Sequence, residues 1–328
     1  MQKLPPNRIA YITAVTAGVL YGVVCQATLR LEVFHELFAI MSFGFVFVLP
    51  VVLGVITLWF ATPMQRASWL YRIFAPWSTV SVGLVVLLVV GWEGTICALL
   101  GAVVSLPLAS LGGVMSGMLL ARIRPTELSS SVLVPILLLP IVWAWLESPF
   151  PLPQQHGHVA TAITIAAPAS VVWANIIQVP KITEPLQGVF YRLGFPKPLE
   201  ATLSHPGLGA VRHASFERGL VFLETIDVWE PEQVLSFAIS VAPDSVPTTT
   251  LDEHVVVGGR YFDVLRGTYQ LEIRSDQQVI LHLASTFRVS TRFNFYARPW
   301  ASFLMRDIQN TILTVLKSRC ERQAQGRG

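Results

Sequence analysis

The residues best suited to chemistry lie in the second half of the chain, around Arg212. In the stretch GLGAVRHASFERG, Arg212 shares one face of a predicted strand with Ala214 and Phe216, because alternate strand residues point to the same side. An inward guanidinium could anchor a carboxylate or phosphate head group. It could equally form a structural salt bridge, for instance with Glu224. Both roles are open at this point.

Two other groups of polar residues look reactive on paper. Asp252, Glu253 and His254 are consecutive, so on an extended chain they point alternately to opposite faces and cannot converge on one substrate. His156 and His158 have no further metal ligands nearby, so we expect solvated linker residues and no metal site. The chain also lacks nucleophile, phosphate-loop and dinucleotide motifs. We therefore predict that the protein has no cofactor. No catalytic residue can be assigned, and the interpretation as an enzyme is the less favoured one.

The element that must position Arg212 is a long C-terminal helix over Pro299–Leu316. Pro299 suits a first helical position, and Gln309 falls outside the apolar stripe. About five helical turns are marginal alone, so the stripe must pack on another surface. The stripe consists of Trp300, Phe303, Leu304, Ile308, Thr311, Ile312 and Val315.

That surface is a predicted antiparallel sheet. A strand over Val159–Ile165 comes first, followed by a short helix around Val171–Ile177 and a second around Glu184–Leu193. Later segments alternate or run apolar between turn signals. They are Gly209–Phe216, Leu220–Trp229, Val234–Val241, Tyr261–Ile273 and Val279–Thr291. The fold class is thus α+β, with a curved antiparallel sheet around the C-terminal helix.

A curved sheet around one helix leaves a cavity wherever inward side chains do not meet. One parity of the strands supplies apolar residues for core or cavity, including Leu235, Ile239, Leu281 and Val289. The residues that we predict to bind a ligand are Arg212, Phe216, Leu223, Phe237, Tyr261, Tyr269, Leu271, Leu283, Phe287, Trp300, Leu304 and Ile308.

Several stretches carry a family resemblance. The order of elements, with IAAPASVVWANI at its head, resembles the START-like helix-grip superfamily, also called SRPBCC or Bet v 1-like. Gly207, Gly209, Arg212, Phe216 and Gly219 resemble its polyketide cyclase/dehydrase and lipid-transport group, as do LDEHV, YFDV and GTYQLE. The resemblance covers about residues 159–318. It implies a hydrophobic ligand cavity without choosing a reaction.

The first half of the chain has the composition of a membrane domain. Mean hydropathy is +0.57, and the first 150 positions hold only seven Lys/Arg and five Asp/Glu. Residues 1–147 therefore form a predicted membrane domain, followed by a Pro-rich linker over 148–158, the helix-grip domain over 159–318 and a basic flexible tail over 319–328. The predicted spans are about 9–28, 37–60, 73–91, 96–120 and 131–146.

Basic residues in the loops orient the predicted spans. They occur at the N-terminus and in the second and fourth loops, which places the N-terminus in the cytoplasm and, with five spans, the C-terminal domain outside the plasma (inner) membrane. The residues are Lys3, Arg8, Arg66, Arg72, Arg122 and Arg124. A miscount by one span would reverse the side of the C-terminal domain.

A small residue recurs at every fourth position of the 96–120 span and includes Gly113 and Gly117. Such a groove serves packing within the chain or a homo-oligomer. The soluble part has a net charge of about +1 without a dense basic patch, so nucleic acid is not an expected partner. The leading hypothesis is binding or transport of a lipid-like hydrophobic molecule at a membrane. The alternatives are a cyclase/dehydrase-like enzyme with a polyketide-like substrate and a non-catalytic membrane interaction module.

Overall fold

The chain forms two compact units, Met1–Leu152 and Pro153–Gly328. A computed structural model describes residues 5–30, 42–122, 130–241 and 258–326. Asp252, Glu253 and His254, together with the LDEHV stretch, lie outside these ranges. The two units are described separately below.

The N-terminal unit is helical throughout its described part. Its helices are α1 (Pro6–Arg30), α2 (Leu49–Trp59, preceded by the π-helical turn Gly44–Val48), α3 (Pro63–Ala67), α4 (Trp69–Val90), α5 (Thr95–Leu120) and α6 (Ser130–Glu147). Among the described residues, three segments are long and apolar enough to cross a membrane: Pro6–Thr28, Trp69–Val90 and Thr95–Leu120. This composition indicates membrane association.

The other two predicted spans coincide with shorter apolar helices, Gly44–Trp59 and Ser131–Glu147. At 1.5 Å per residue, each extends only about 25 Å, against a hydrocarbon core of about 30 Å. Residues 37–41 of the second predicted span lie outside the described ranges. The count of five spans and the orientation that depends on it stay predictions.

Glycines allow α5 to lie against α2 and α4 with backbone contact. A Cβ atom added at Gly113 would lie 2.3 Å from the carbonyl oxygen of Arg72, and one at Gly117 would lie 2.8 Å from the Arg72 side chain. A Cβ atom at Gly54 of α2 would lie 2.0 Å from the carbonyl oxygen of Ala109. Gly113 and Gly117 thus support packing within the chain, while their use in a homo-oligomer stays a prediction.

In the part that the structure describes, the C-terminal unit is built on one sheet of seven antiparallel strands in the order β1-β7-β6-β5-β4-β3-β2. The sheet is curved and, with its long C-terminal helix, fits a helix-grip fold. The strands are β1 (Gln155–Ile165), β2 (Pro198–Leu203), β3 (Val211–Phe216), β4 (Val221–Glu230), β5 (Val234–Val241), β6 (Phe262–Ser275) and β7 (Gln278–Val289). The helices are α7 (Ala169–Ile177), α8 (Val189–Arg192) and α9 (Asn294–Gln325).

Two strands differ from the sequence prediction. The alternation of apolar residues misses β2, because this strand is short and begins with a proline. Strand β1 begins at Gln155, so His156 and His158 lie in a strand and not in the predicted linker. Both histidines are on its exposed face, whereas Gly157 and Val159 between and beyond them are buried.

The second short helix is also shorter than predicted. Only Val189–Arg192 is helical within the predicted Glu184–Leu193. The preceding residues run instead as an extended loop, in which the backbone N–H of Ile182 donates to the carbonyl oxygen of Leu199 at 2.7 Å. This loop contributes to the site described below.

Helix α9 extends beyond its predicted ends. It begins at Asn294, whose Oδ1 accepts hydrogen bonds from the backbone N–H and Oγ1 of Thr291 at 2.7 and 2.9 Å, so Pro299 is inside the helix. The helix continues to Gln325, and the prediction of a flexible tail from residue 319 is wrong over this part. Arg319 and Cys320 are buried, which keeps the last turns on the domain.

Candidate functional site: an apolar cavity between the sheet and helix α9

A cavity of about 140 Å³ lies within the C-terminal unit. Strands β2 to β7, helix α9 and the loop between α7 and α8 contribute its walls. Most lining side chains are apolar, among them Ala214, Phe222, Ile239, Val264 and Ile312. An apolar cavity of about 150 Å³ can stay dry and hold a benzene ring. The volume therefore suits a small ring or the apolar end of a larger molecule.

The sequence prediction and the cavity agree for seven residues. They are Arg212, Phe216, Phe237, Tyr269, Leu283, Leu304 and Ile308. The strands contribute five of them and α9 two, so the predicted meeting of sheet and helix does bring these side chains together.

Leu223 is not in the wall, because the predicted parity of β4 is wrong. Strict alternation from Trp229, which faces the core, would also turn Leu223 inward. A bulge between Ile226 and Val228 shifts the register and reverses this alternation. Leu223 pairs with Ser240 on the other face, and its neighbours Phe222 and Glu224 line the cavity instead. A bulge leaves no clear mark in an alternating sequence.

Four further predicted residues lie outside the cavity wall. Leu271 and Phe287 belong to the packed core, where the ring of Phe287 lies over Gly157 so closely that a Cβ there would be 2.2 Å away. Tyr261 is buried at the start of β6. Trp300 contacts Tyr296 and Phe303 edge to face on the surface side of α9.

Arg212 points inward, as predicted, and is already paired. Its Nε donates to the carboxylate of Glu224, and its Nη1 donates to the carbonyl oxygen of Ile176 at the end of α7. The guanidinium carbon also lies 4.6 Å from the ring centroid of Phe237. Burial alone would lower the pKa of Arg212, but the Glu224 carboxylate outweighs it and the pKa is raised. The residue thus stays charged inside a structural ion pair.

Tyr269 lies beside this pair, with its ring centroid 5.8 Å from the Arg212 guanidinium carbon. Burial raises the pKa of its hydroxyl group above the ordinary value. The phenol therefore remains protonated at neutral pH and offers a hydrogen-bond donor rather than a base.

Gln309 is a cavity residue that the sequence interpretation missed. It is buried, and its Nε2 donates to Ser285 Oγ at 2.8 Å and to the Val159 carbonyl oxygen at 3.2 Å. Its Oε1 accepts from Thr161 Oγ1 at 3.0 Å. Its spacing of four residues from Met305, which is also buried, could have indicated that Gln309 faces the sheet. The polar amide led instead to the expectation of an exposed residue.

The loop between α7 and α8 closes one side of the cavity with Val179, Ile182 and Leu186. Arg319 of α9 donates to the carbonyl oxygens of residues 180 and 181, each at 2.8 Å, and to both carboxylate oxygens of Glu184 at 2.8 and 2.9 Å. The hydrogen bonds from Arg319 are the main reason that the pKa of Glu184 falls to about 2. This ion pair fixes the loop to α9.

Within the described ranges, no three His, Cys, Asp or Glu side chains are grouped so that they could hold a metal ion. The polar residues of the cavity wall are Glu200, Arg212, Ser215, Glu224, Tyr269, Ser285 and Gln309. They offer hydrogen bonds, and the Arg212 and Glu224 charges cancel each other.

Comparisons with known proteins found structural neighbours of low sequence identity. No family model matches the chain, and no curated protein matches it. A crystal structure of the Zhui aromatase/cyclase from Streptomyces sp. R1128 is 15% identical, with a TM-score of 0.33 over 53% of this chain and 99% of that one. Truncated norcoclaurine synthase from Thalictrum flavum is 9% identical, with a TM-score of 0.31 over 51% and 97%.

An uncharacterized protein from Bacillus thuringiensis is 18% identical, with a TM-score of 0.32 over 49% of this chain and 97% of that one. All three TM-scores are below 0.5, so no argument about this chain rests on these likenesses. The helix-grip architecture of this chain follows from its own sheet order and C-terminal helix.

Proposed function

We propose that the C-terminal unit binds a neutral apolar molecule, or the apolar end of a lipid, in the cavity against α9. The observation that carries the proposal is the cavity itself, which is lined mainly by apolar side chains from six strands, helix α9 and the loop between α7 and α8. Binding sites for small molecules are concave and mostly apolar, with a few placed polar groups. Tyr269, Ser285 and Gln309 are those polar groups here.

The preference for a neutral ligand follows from the state of Arg212. A ligand carboxylate at the guanidinium would share it with Glu224, which would place two buried carboxylates against one positive charge. A hydroxyl or carbonyl group meets no such penalty, because it can exchange hydrogen bonds with Ser285 or Tyr269. The proposed ligand therefore keeps any charged group outside the cavity.

The proposed setting is a membrane. The three long apolar helices of the N-terminal unit support it, since each can span a bilayer core. In the arrangement that we propose, five spans leave the N-terminus in the cytoplasm and the ligand-binding unit on the outer side of the inner membrane. The spans then hold the cavity near a source of apolar molecules.

The other two hypotheses have less support. A cyclase-like reaction needs a convergent acid and base. Arg212 is paired with Glu224. Of the two tyrosines considered for that reaction, Tyr261 is outside the cavity wall and Tyr269 keeps its proton because burial raises its pKa. An interaction module would bind its partner through Gly113 and Gly117. Both glycines already contact α4 of the same chain, which leaves less of them for a partner.

Photolabelling of the full chain in lipid nanodiscs tests the proposal. The probe is a fatty alcohol that carries a diazirine at its apolar end. We expect labelled peptides from β3, β4 and α9 in the wild-type protein, and loss of that labelling in Ala214→Leu, which fills the cavity. Ala238→Leu is the matched control, because Ala238 is exposed on strand β5 of the same sheet.

The corresponding diazirine fatty acid tests the preference for neutral ligands and should label the same peptides less. Labelling confined to helices α1 to α6 in all variants would contradict the proposal. Circular dichroism of Ala214→Leu separates a filled cavity from a failure to fold.

A further inference from the structure

The first half of α9 carries an exposed aromatic surface. The side chains of Phe295 and Phe303 are 68% and 45% exposed. Val189 of α8 is 47% exposed and precedes Phe190, whose ring contacts Phe303. Exposed apolar groups of this size that lie together mark interaction sites more often than single ones do. We call this surface, formed by Val189, Phe295, Tyr296, Trp300 and Phe303, the aromatic face.

Ring contacts join three residues of the aromatic face, Tyr296, Trp300 and Phe303. The Tyr296 and Trp300 centroids are 6.2 Å apart, those of Trp300 and Phe303 are 6.3 Å apart, and Phe303 lies 5.4 Å from the buried Phe190 of α8. All three pairs meet edge to face. The rings are therefore held in place by packing and not scattered along the helix.

The charges around the aromatic face have one sign. Arg298 and Arg306 of α9 and Arg192 of α8 are exposed. Residues 292–306 contain three arginines and no acidic residue. The first carboxylate beyond them, Asp307, accepts a hydrogen bond from the backbone N–H of Phe190 at 3.0 Å, so it is directed at α8.

We infer that the aromatic face docks on the head-group surface of an anionic lipid bilayer. Tyrosine and tryptophan favour the membrane interface, phenylalanine can enter the acyl boundary, and arginines are attracted to anionic head groups. The inference depends on the proposed membrane setting and goes beyond it by assigning the surface that touches lipid.

Two features make a bilayer the fitting occupant. Residues 148–154 connect α6 to β1 and reach about 25 Å at most when fully extended. In the proposed five-span arrangement, where α6 crosses the bilayer, this connection keeps the domain near lipid. Leu304 and Ile308, which directly follow the aromatic face on α9, line the cavity. Docking by this face would place the cavity wall close to the acyl chains from which an apolar ligand comes.

Site-directed fluorescence of the full chain in nanodiscs tests the inference. A bimane label is placed at Phe295→Cys or Phe303→Cys, with the native cysteines replaced by alanine, and quenched by doxyl-labelled lipid. Ile273→Cys is the matched control, since Ile273 is 56% exposed at the end of β6. Val85→Cys on α4, which is 57% exposed, reports membrane insertion itself.

In nanodiscs of phosphatidylcholine and phosphatidylglycerol, we expect strong quenching at positions 295 and 303 and little at 273. Arg298→Gln should weaken binding of the face about fivefold, the effect of one basic residue near an anionic surface. Pure phosphatidylcholine should weaken it further, because it removes the attraction of every arginine. Quenching at position 295 that is no stronger than at position 273 overturns the inference. A label whose emission is blue-shifted but not quenched by lipid also overturns it, because protein and not lipid would then cover the face. Quenching absent at position 85 as well would instead refute the membrane setting of the proposed function.

Discussion

Replacement of Arg212 by methionine should open the C-terminal sheet, because it leaves a charge without its partner. Arg212 is 4% exposed and Glu224 is 7% exposed, and they pair across β3 and β4. Removing one member of a buried ion pair costs about 3–5 kcal/mol. The Ile176 carbonyl oxygen also loses its donor, which adds about 1 kcal/mol.

The double variant Arg212→Met/Glu224→Leu should recover most of that loss. It removes both charges and replaces them with apolar side chains of similar size, which is often neutral or stabilising by about 1–4 kcal/mol. Since the proposed ligand is neutral and apolar, the double variant should still be labelled by the diazirine fatty alcohol. A ligand anchored through its carboxylate would instead lose binding.

Hydrogen–deuterium exchange of the full chain in nanodiscs measures the effect locally. Amides of β3 and β4 should exchange faster by a factor of about 100 or more in Arg212→Met, and at near wild-type rates in the double variant. Amides of α4 and α5 serve as the internal control. Unchanged exchange in the single variant, or a double variant no better than the single one, would refute the assignment of Arg212 as a structural residue.

The contacts of Glu184 and Gly113 predict how two further substitutions change stability. Glu184→Gln should lower the free energy of unfolding at neutral pH by about 1–2 kcal/mol after solvent screening. The pKa of Glu184 in the folded protein lies near 2, below its ordinary 4.5. The extra free energy of unfolding of the wild type is therefore full above pH 4.5 and should fade as the pH falls toward 2. A difference that does not change across this pH range would argue against the Arg319 contact. Gly113→Ala should destabilise the helical unit, since its Cβ would lie 2.3 Å from a backbone oxygen, whereas Gly101→Ala should not, since nothing lies within 4 Å. Equal thermal stability of these two variants in detergent would contradict the packing of α5 on α4.

Patterns that repeat along the chain predicted the main architecture. Alternating strands with turn signals located β3 to β7, and the apolar stripe around Leu304 and Ile308 located α9. The inward direction of Arg212 followed from strand parity, and its partner Glu224 was one of the two roles left open. These features depend on local periodicity, which a sequence shows directly.

The features that the sequence hid depend on contacts between distant residues. The bulge in β4 moves Leu223 to the outer face, and only the pairing with β5 reveals it. Gln309 is buried because Ser285 and Val159 satisfy its amide. Likewise, Arg319 keeps the end of α9 folded by pairing with Glu184, a residue 135 positions earlier.

Native mass spectrometry of the intact chain released from nanodiscs tests the central claim most directly. The account predicts a neutral apolar molecule bound to the wild-type protein and to Ala238→Leu, and its absence from Ala214→Leu. The same occupancy in all three proteins, or a wild-type chain that stays empty after incubation with the fatty alcohol, would contradict a ligand cavity between the sheet and α9.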